Sequence, residues 1–426
     1  MRNRIWFWLS AVFTVMALFQ LYHLAGKITA GNKISHGAVS WYSAGLLAGE
    51  KQDLYDVRLH RERAAAVNPG TRPFYVNPPL LAVIISFFGS DIHSFQYFLL
   101  VSKILLLMMI SVIIPYFLIY RTKYLDYTPV KSHFFRMFAI LFFIIVSLKP
   151  VYTDLVSGQL AVYFLFLLAL GMVFLPGSQL RSGLFTGFGL FLKTGTMFVA
   201  LFYLVFRMRR ALFSFLVTAG GLAAVSLSYY GPEIHLKYLK RILLPFVGRL
   251  HLPQMEWPVS QGLNQSINGL LSRLFMNEYV NQLIETRPVI DSPVVFTLLS
   301  LVFTYSLILY TSFVIWRSRP FMEKRQYLAY IGYALFIALI PLVSPVTLNS
   351  DLVITIIPIS ILLNEFVRKQ DYISGAITVL FVLLYYYEPL NIHRDVGRFA
   401  SLAYLRLFAN LVVYRGVLRL LKKYSV

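Results

Sequence analysis

Apolar residues along this chain fall in long blocks separated by short polar breaks, many of them basic. The blocks run over 5–26, 75–89, 94–120, 133–149, 159–175, 183–206, 211–229, 294–316, 327–345, 351–366, 372–387 and 400–414. Most have the length a helix needs to cross ~30 Å of hydrocarbon at about 1.5 Å per residue. In lipid, backbone polar groups must be bonded within the segment, which selects helices. The expected fold is therefore all-α. It is a polytopic transmembrane helical bundle of about 11–13 membrane helices, forming one integral membrane domain over residues 1–426.

Two polar segments are long enough to hold structure of their own, 27–74 and 232–293. Basic residues flank many blocks, as at Arg121/Lys123, Arg207/Arg209/Arg210, Arg317/Arg319 and Arg415 to Lys423. The positive-inside rule places these on the cytoplasmic side, with both chain termini, and both polar segments outside. The run from Ile5 to Ala25 follows Arg2 and Arg4 and lacks a small-residue cleavage pattern, so it reads as a first membrane helix rather than a signal peptide.

Two stretches resist a simple count. Two full crossings within 75–120 would leave Arg121 outside, so either the run at 75–89 is a short re-entrant element or the positive-inside rule is overridden here. The run at 183–206 is bounded by basic residues at both ends and interrupted by Gly187, Gly189, Lys193 and Gly195. It reads as two half-helices meeting near Lys193, an arrangement tolerated only beside a protein or aqueous cavity. In the first loop, Val39, Trp41/Tyr42 and Leu46/Leu47 have the spacing of an amphipathic helix suited to the lipid–water interface. Asp56 to Val67 is a second helix candidate.

Composition sharpens this picture. Of 426 residues, 58% are hydrophobic and 13% charged, against about 25% charged in soluble chains. The formal charge is +21, but the basic residues are dispersed among membrane-length runs, which argues against a nucleic-acid ligand. Cysteine is absent, so disulfides and thiolate metal sites are excluded. No phosphate-binding Walker loop, dinucleotide fingerprint or paired histidine metal motif occurs, which argues against ATP-driven transport, and nothing in the sequence calls for a cofactor or metal.

Polar residues gather instead at the expected outer helix ends. Tyr75, Asn77 and Pro78-Pro79 open one run. Asp154, Ser157, Gly158 and Gln159 form a turn before another. Lys193 interrupts an apolar pair, where a lysine costs ~2.5–3.5 kcal/mol on insertion scales unless it serves a cavity or an ion pair. Asn264, Gln265, Ser266 and Asn268 precede a short apolar helix, and Ser344-Pro345 with Asn349-Ser350-Asp351 form a further outer turn. The outer segments also carry Arg58, Arg61, Arg63, Arg72, Lys237, Lys240, Arg241, Arg249 and Arg273. Positive charge on that side points to an anionic ligand such as a lipid phosphate or pyrophosphate, with membrane phospholipid as the plainer partner.

In order and spacing these segments resemble glycosyltransferase family 87, membrane enzymes of the GT-C class. Trp41 to Gly49 followed by Leu54-Tyr55-Asp56 resembles the family's first-loop pattern. Phe74 to Leu80 is similar to its aromatic-Pro-Pro-Leu entry, and Ser157-Gly158-Gln159 to its Gly-Gln turn. Gly187 to Lys193 resembles its Gly-rich run ending in Lys. Asn264 to Leu270 with Arg273 is similar to its Asn-Gln-Ser segment, and Ser344-Pro345 to its late turn. The family's first-loop acid has no counterpart in Ile34-Ser35-His36-Gly37, and a Thr follows Lys193 where Pro is usual. After the late Ser-Pro the chain reads Thr347-Leu348-Asn349 where Trp and His are usual.

The resemblance implies transfer of a sugar, mannose in the best-known members, from a polyprenyl-phosphate donor to a lipid or glycan acceptor. The expected setting is the extracytoplasmic face of a bacterial inner or plasma membrane. Such transfer needs a base for the acceptor hydroxyl and groups that stabilise the leaving phosphate. His36, Asp56 and Asp154 are the candidate bases. Lys193, Arg72 and Arg273 are the candidate phosphate contacts, with Tyr75, Asn77, Gln159, Asn264 and Gln265 as further substrate-binding residues. Alternatives are a polysaccharide ligase using a pyrophosphate-linked donor, and a transporter or flippase of lipid-linked sugars.

Overall fold

The computed structural model describes residues 34–69, 75–88, 91–121, 131–244, 264–276, 289–324, 326–369 and 405–425, with scattered positions between 11 and 26. Arg72, the block at 372–387 and most of the block at 5–26 lie outside them. Among the described residues every regular element is helical, as expected of a polytopic helical membrane protein.

The first helices are α1 (His36–Gly49), α2 (Val57–Val67) and α3 (Pro79–Ser86). Ser35 caps α1 by accepting from the Ala38 N–H, and Asp56 caps α2 by accepting from the N–H groups of Arg58 and Leu59. Each side chain meets a donor that a helix start leaves without a partner. α1 forms where the spacing predicts, but it is buried on nearly every side against α2 and α3. Trp41 therefore faces protein, not the lipid–water interface. Small residues at Ser43, Ala44, Gly45 and Ala48 permit this close packing.

The long α4 (Ile92–Tyr116) follows, then α5 (Lys131–Ser147) and α6 (Lys149–Ser157). α5 and α6 meet at a bend of 55°. Pro150 sits in the first turn of α6, where its missing N–H costs nothing, whereas in a continuous helix it would break an i→i−4 bond. α7 (Ala161–Phe174) and α8 (Gln179–Gly189) form a hairpin, and α8 lies along α10 (Arg209–Tyr230). The second contact is very close. A Cβ on Gly183 would stand 2.0 Å from the Ala211 carbonyl oxygen, and one on Gly187 would stand 2.8 Å from Thr218 Cβ. Four-residue spacing of small residues lets membrane helices approach in this way.

Between α8 and α9 (Met197–Val205) the helix is broken, and Lys193 adopts an extended backbone at the break. The half-helix reading of this run agrees with what is seen. α11 (Pro232–Tyr238), α12 (Ile267–Phe275), α13 (Pro293–Lys324) and α14 (Gln326–Val343) come next. A tight helical turn over Asn349–Thr355 leads into α15 (Ile356–Lys369), and α16 (Leu405–Tyr424) packs against α14 and α15.

Four described helices are long and apolar enough to cross a membrane: Ile92–Ile119, Arg209–Tyr230, Pro293–Phe321 and Asn349–Phe366, with a fifth if the bent pair is one span. Ala161–Phe174, Thr194–Val205 and Tyr327–Val343 are apolar but shorter, at 10–17 residues. Several apolar blocks therefore become partial helices. The break at Lys193 divides the 183–206 block, and α3 fills only part of the 75–89 block.

Two apolar clusters organise the interior. The larger joins α4 to α7, α9 and the start of α10 with α13 to α16. The smaller gathers α1, α3 and the start of α4 with Tyr55, Tyr75, Leu160, Ile234 and Ile242.

Candidate functional site

A cleft of about 200 Å³ opens where the two clusters meet. Trp41, Leu160 and Ile242 line it from the smaller cluster, and Phe164, Ile340 and Ile354 from the larger. Its polar groups are few: Asn77, Gln159, Lys193, Thr194, Tyr238, Ser344, Thr347 and Asp351. A largely apolar concavity with a few convergent polar groups is the usual form of a small-molecule site.

Lys193 and Asp351 are its charged centre. The broken helix carries Lys193 into the cleft, where its Nζ pairs with Asp351 Oδ1. The other carboxylate oxygen of Asp351 accepts the Leu348 N–H at 3.0 Å, which pins the carboxylate to its own turn. The side chains remain 26% and 21% exposed, so a ligand entering the cleft can reach both.

Asn77 is placed through its backbone. Tyr55 donates its hydroxyl to the Asn77 carbonyl at 2.7 Å, and Tyr75 donates to the Pro78 carbonyl at 2.8 Å. Burial pushes both hydroxyls well above the usual tyrosine range, so they stay protonated donors. Tyr75 is itself fully buried behind Trp41, edge-on to its ring, and is not part of the lining. Tyr238, which does line the cleft, is pushed up to about 12 by burial and so presents a neutral O–H.

Gln159 enters from a turn whose geometry only glycine accepts easily. Gly158 has φ +69°, and a Cβ there would stand 2.3 Å from Ser35 Oγ. The start of α1 leans on the same turn, since a Cβ on Gly37 would lie 2.3 Å from the Ser157 carbonyl oxygen. Trp41 donates its indole N–H to the Gly158 carbonyl at 2.9 Å.

Asn264 and Gln265 hold the opposite wall without lining the cleft. Asn264 Oδ1 accepts from the Thr347 N–H at 2.9 Å and its Nδ2 donates to the Pro345 carbonyl at 3.0 Å. The Gln265 N–H donates to the Thr347 carbonyl at 2.8 Å, and Asn268 adds a second donor to Pro345 at 3.0 Å. The Asn-Gln-Ser segment thus fastens α12 to the late Ser-Pro turn.

The remaining expected site residues fall elsewhere. His36 sits at the first position of α1 with its surface open to solvent and is not in the lining, and partial desolvation of its ring lowers its pKa. Asp56 is the cap of α2. Arg273 is buried on α12 and does not line the cleft. Asp154 is fully buried and ion-paired at 3.0 Å with Lys103 of α4. None of the three acids or bases picked from sequence thus borders the cleft; Asp351 does.

The model of glycosyltransferase family 87 matches residues 75–345. The chain belongs to this family. It is therefore a membrane glycosyltransferase. No curated protein and no solved structure matches it. Within this glycosyltransferase, Asn77, Gln159, Lys193 and Ser344 lie inside the matched region, whereas Trp41 and Asp351 lie beyond its two ends. Among the described residues no group of three metal-binding side chains is found.

Asp351 and Lys103 are the residues that sequence reasoning passed over. Lys103 had a signal, a lone charge inside the 94–120 apolar run. Asp351 was visible as a polar turn residue, but nothing local links it to Lys193, which is 158 positions away.

Proposed function

We propose that this glycosyltransferase moves a sugar, with mannose the first to test, from a polyprenyl-phosphate donor to a lipid or glycan acceptor at the extracytoplasmic end of the bundle. The observation that carries this reading is the Lys193–Asp351 pair, the charged residues of a largely apolar cleft. Apolar walls suit the first units of a polyprenyl chain, and a single ammonium suits a monophosphate. Trp41 from the first long loop, and Tyr238 and Ile242 from the second, border the same cleft. That supports a site on the side both loops share, with both termini on the cytoplasmic side.

In the proposed reaction the donor phosphate takes Lys193 from Asp351. The freed carboxylate accepts the proton of the acceptor hydroxyl as its oxygen attacks the anomeric carbon. The bond between that carbon and the phosphate oxygen breaks, and polyprenyl phosphate leaves with its charge held by Lys193. Asn77, Gln159, Ser344 and the Tyr238 hydroxyl are placed to bond sugar hydroxyls. Asp351 takes the base role here because His36, Asp56 and Asp154 do not reach the lining.

The test is transfer by the purified protein in lipid vesicles, supplied with a polyprenyl-monophosphate sugar or its pyrophosphate counterpart. Transfer from the monophosphate, lost in both Lys193→Ala and Asp351→Asn, is the expected result. Transfer only from the pyrophosphate, or full activity in both variants, overturns the reading.

A further inference from the structure

Asp154 and Lys103 form a second charged pair, more deeply buried than the first. Their side chains are 0% and 1% exposed. Lys103 Nζ lies 3.0 Å from Asp154 Oδ2 and also donates to the Asp154 carbonyl at 3.0 Å. The other carboxylate oxygen accepts the Ala161 N–H at 2.8 Å, the start of α7. The carbonyl that Lys103 holds also receives the Gln159 N–H at 3.1 Å. One lysine therefore grips both the backbone and the side chain of the residue that closes the turn from Asp154 to Ala161.

That turn carries two elements of the cleft. Gln159 lines it directly, and the Gly158 carbonyl fixes the Trp41 indole. The pair stands behind the rim: neither side chain lines the cleft, and Asp154 meets a lining residue only through its carbonyl, on the Gln159 N–H. An uncompensated charge at this depth would be strongly destabilising, so neither residue is a freely replaceable core position. A hydrophobic pair could fill the same volume at little or no loss of stability, but it could not clamp a carbonyl and a helix start at once.

We propose that Lys103 and Asp154 are positioning residues, which set the Gly158–Gln159 rim and, through it, Trp41 at the mouth of the cleft. The kinetic consequence rests on the cleft being the donor site; the geometric consequence does not.

The chain has no cysteine, so a single thiol can report on the rim. Gln159→Cys is labelled with a water-soluble maleimide in two backgrounds, the native pair and the double variant Lys103→Met/Asp154→Leu. The double variant avoids the unpaired charge that would prevent folding in either single one, and its thermal midpoint is measured alongside. With folding retained, the labelling rate is expected to change at least tenfold. Without the thiol, the same double variant is expected to raise the KM for the polyprenyl-phosphate sugar about tenfold, with kcat within about threefold of the parent.

An unchanged labelling rate in a folded double variant overturns the proposal. So does a fall in kcat with KM intact. An altered labelling rate, with no transfer detectable even in the parent protein that keeps Gln159, upholds the positioning role and counts against the donor assignment instead.

Discussion

Lys193, at the break between α8 and α9, and Asp351, in the turn before α15, meet as an ion pair across the cleft although 158 positions separate them. The pair is only partly exposed, so its coupling is screened less than at a free surface, yet solvent still reaches it. Lys193→Met and Asp351→Asn are each expected to lower sugar transfer by 100-fold or more, on the order of 3 kcal/mol in the barrier. Stability should suffer much less, by about 1 kcal/mol in keeping with partly exposed pairs. The charge-swapped double variant, Lys193→Asp/Asp351→Lys, should regain the thermal midpoint and remain inactive. Recovery of transfer in the swap would mean that the pair is a strut and nothing more.

The wall held by Asn264 gives a different signature. Asn264 satisfies the Thr347 N–H and the Pro345 carbonyl, and its own side chain is 1% exposed. Truncating it leaves buried backbone groups without that partner, at a cost of about 1–3 kcal/mol. Asn264→Ala is therefore expected to lower the thermal midpoint in detergent and to weaken transfer together with it. A variant with unaltered stability and lost transfer would place Asn264 in contact with substrate.

How much of this arrangement could be read from sequence depends on how local each cause is. The all-helical bundle followed from the apolar blocks, and the break at Lys193 from a lysine among glycines. The caps Ser35 and Asp56, and the role of Pro150 at the bend, are also set by neighbouring residues. Asn77, Gln159 and Lys193 were legible as polar residues at helix ends, and the structure brings all three to one cleft. Which acid stands beside them was not legible. Asp154 and Asp351 both read as polar turn residues, although Asp154 lies in the last turns of α6, and only the tertiary packing sends one to Lys103 in the interior and the other to Lys193 in the cleft. Trp41 looked interfacial for the same reason: period alone shows that a residue lies on a face, not what covers that face.

His36 offers a pH-based check. Its pKa is lowered by partial desolvation, so the ring is neutral at pH 7, as a base must be. It does not border the cleft, however. His36→Asn is expected to keep transfer within about threefold of the parent, below the 10²–10⁴-fold contribution of a general base. The pH–rate profile should also keep its shape between pH 5.5 and 8. Because the folded ring resists protonation, any contribution it makes to stability is present above the unfolded value near 6.5 and fades as pH falls toward the lower folded value. A midpoint that drops below pH 6.5 in the parent but not in His36→Asn would show that linkage. A lost alkaline-side rise in rate in His36→Asn would instead return the base role to this histidine.

The last prediction concerns the scaffold that presents Lys193. α8 ends at the break, and its other face is pressed against α10 so closely that a Cβ on Gly183 would stand 2.0 Å from the Ala211 carbonyl oxygen. That neighbour is backbone, so the contact cannot be relieved by turning a side chain. Gly183→Ala must push the helices apart, at a cost of about 1–3 kcal/mol for overpacking, less a few tenths regained because alanine favours the helix. Gly220→Ala, on α10 with open space around its Cβ position, gains the propensity without the clash. It should be neutral or slightly stabilising. The two variants differ by one methyl group each, in the same pair of helices. A thermal midpoint lowered by several degrees in the first and unchanged in the second would show that close backbone approach, not glycine content, holds α8 and the lysine at its end in place. Equal midpoints would mean that α8 is free to shift, and that the cleft is set from the α14 side instead.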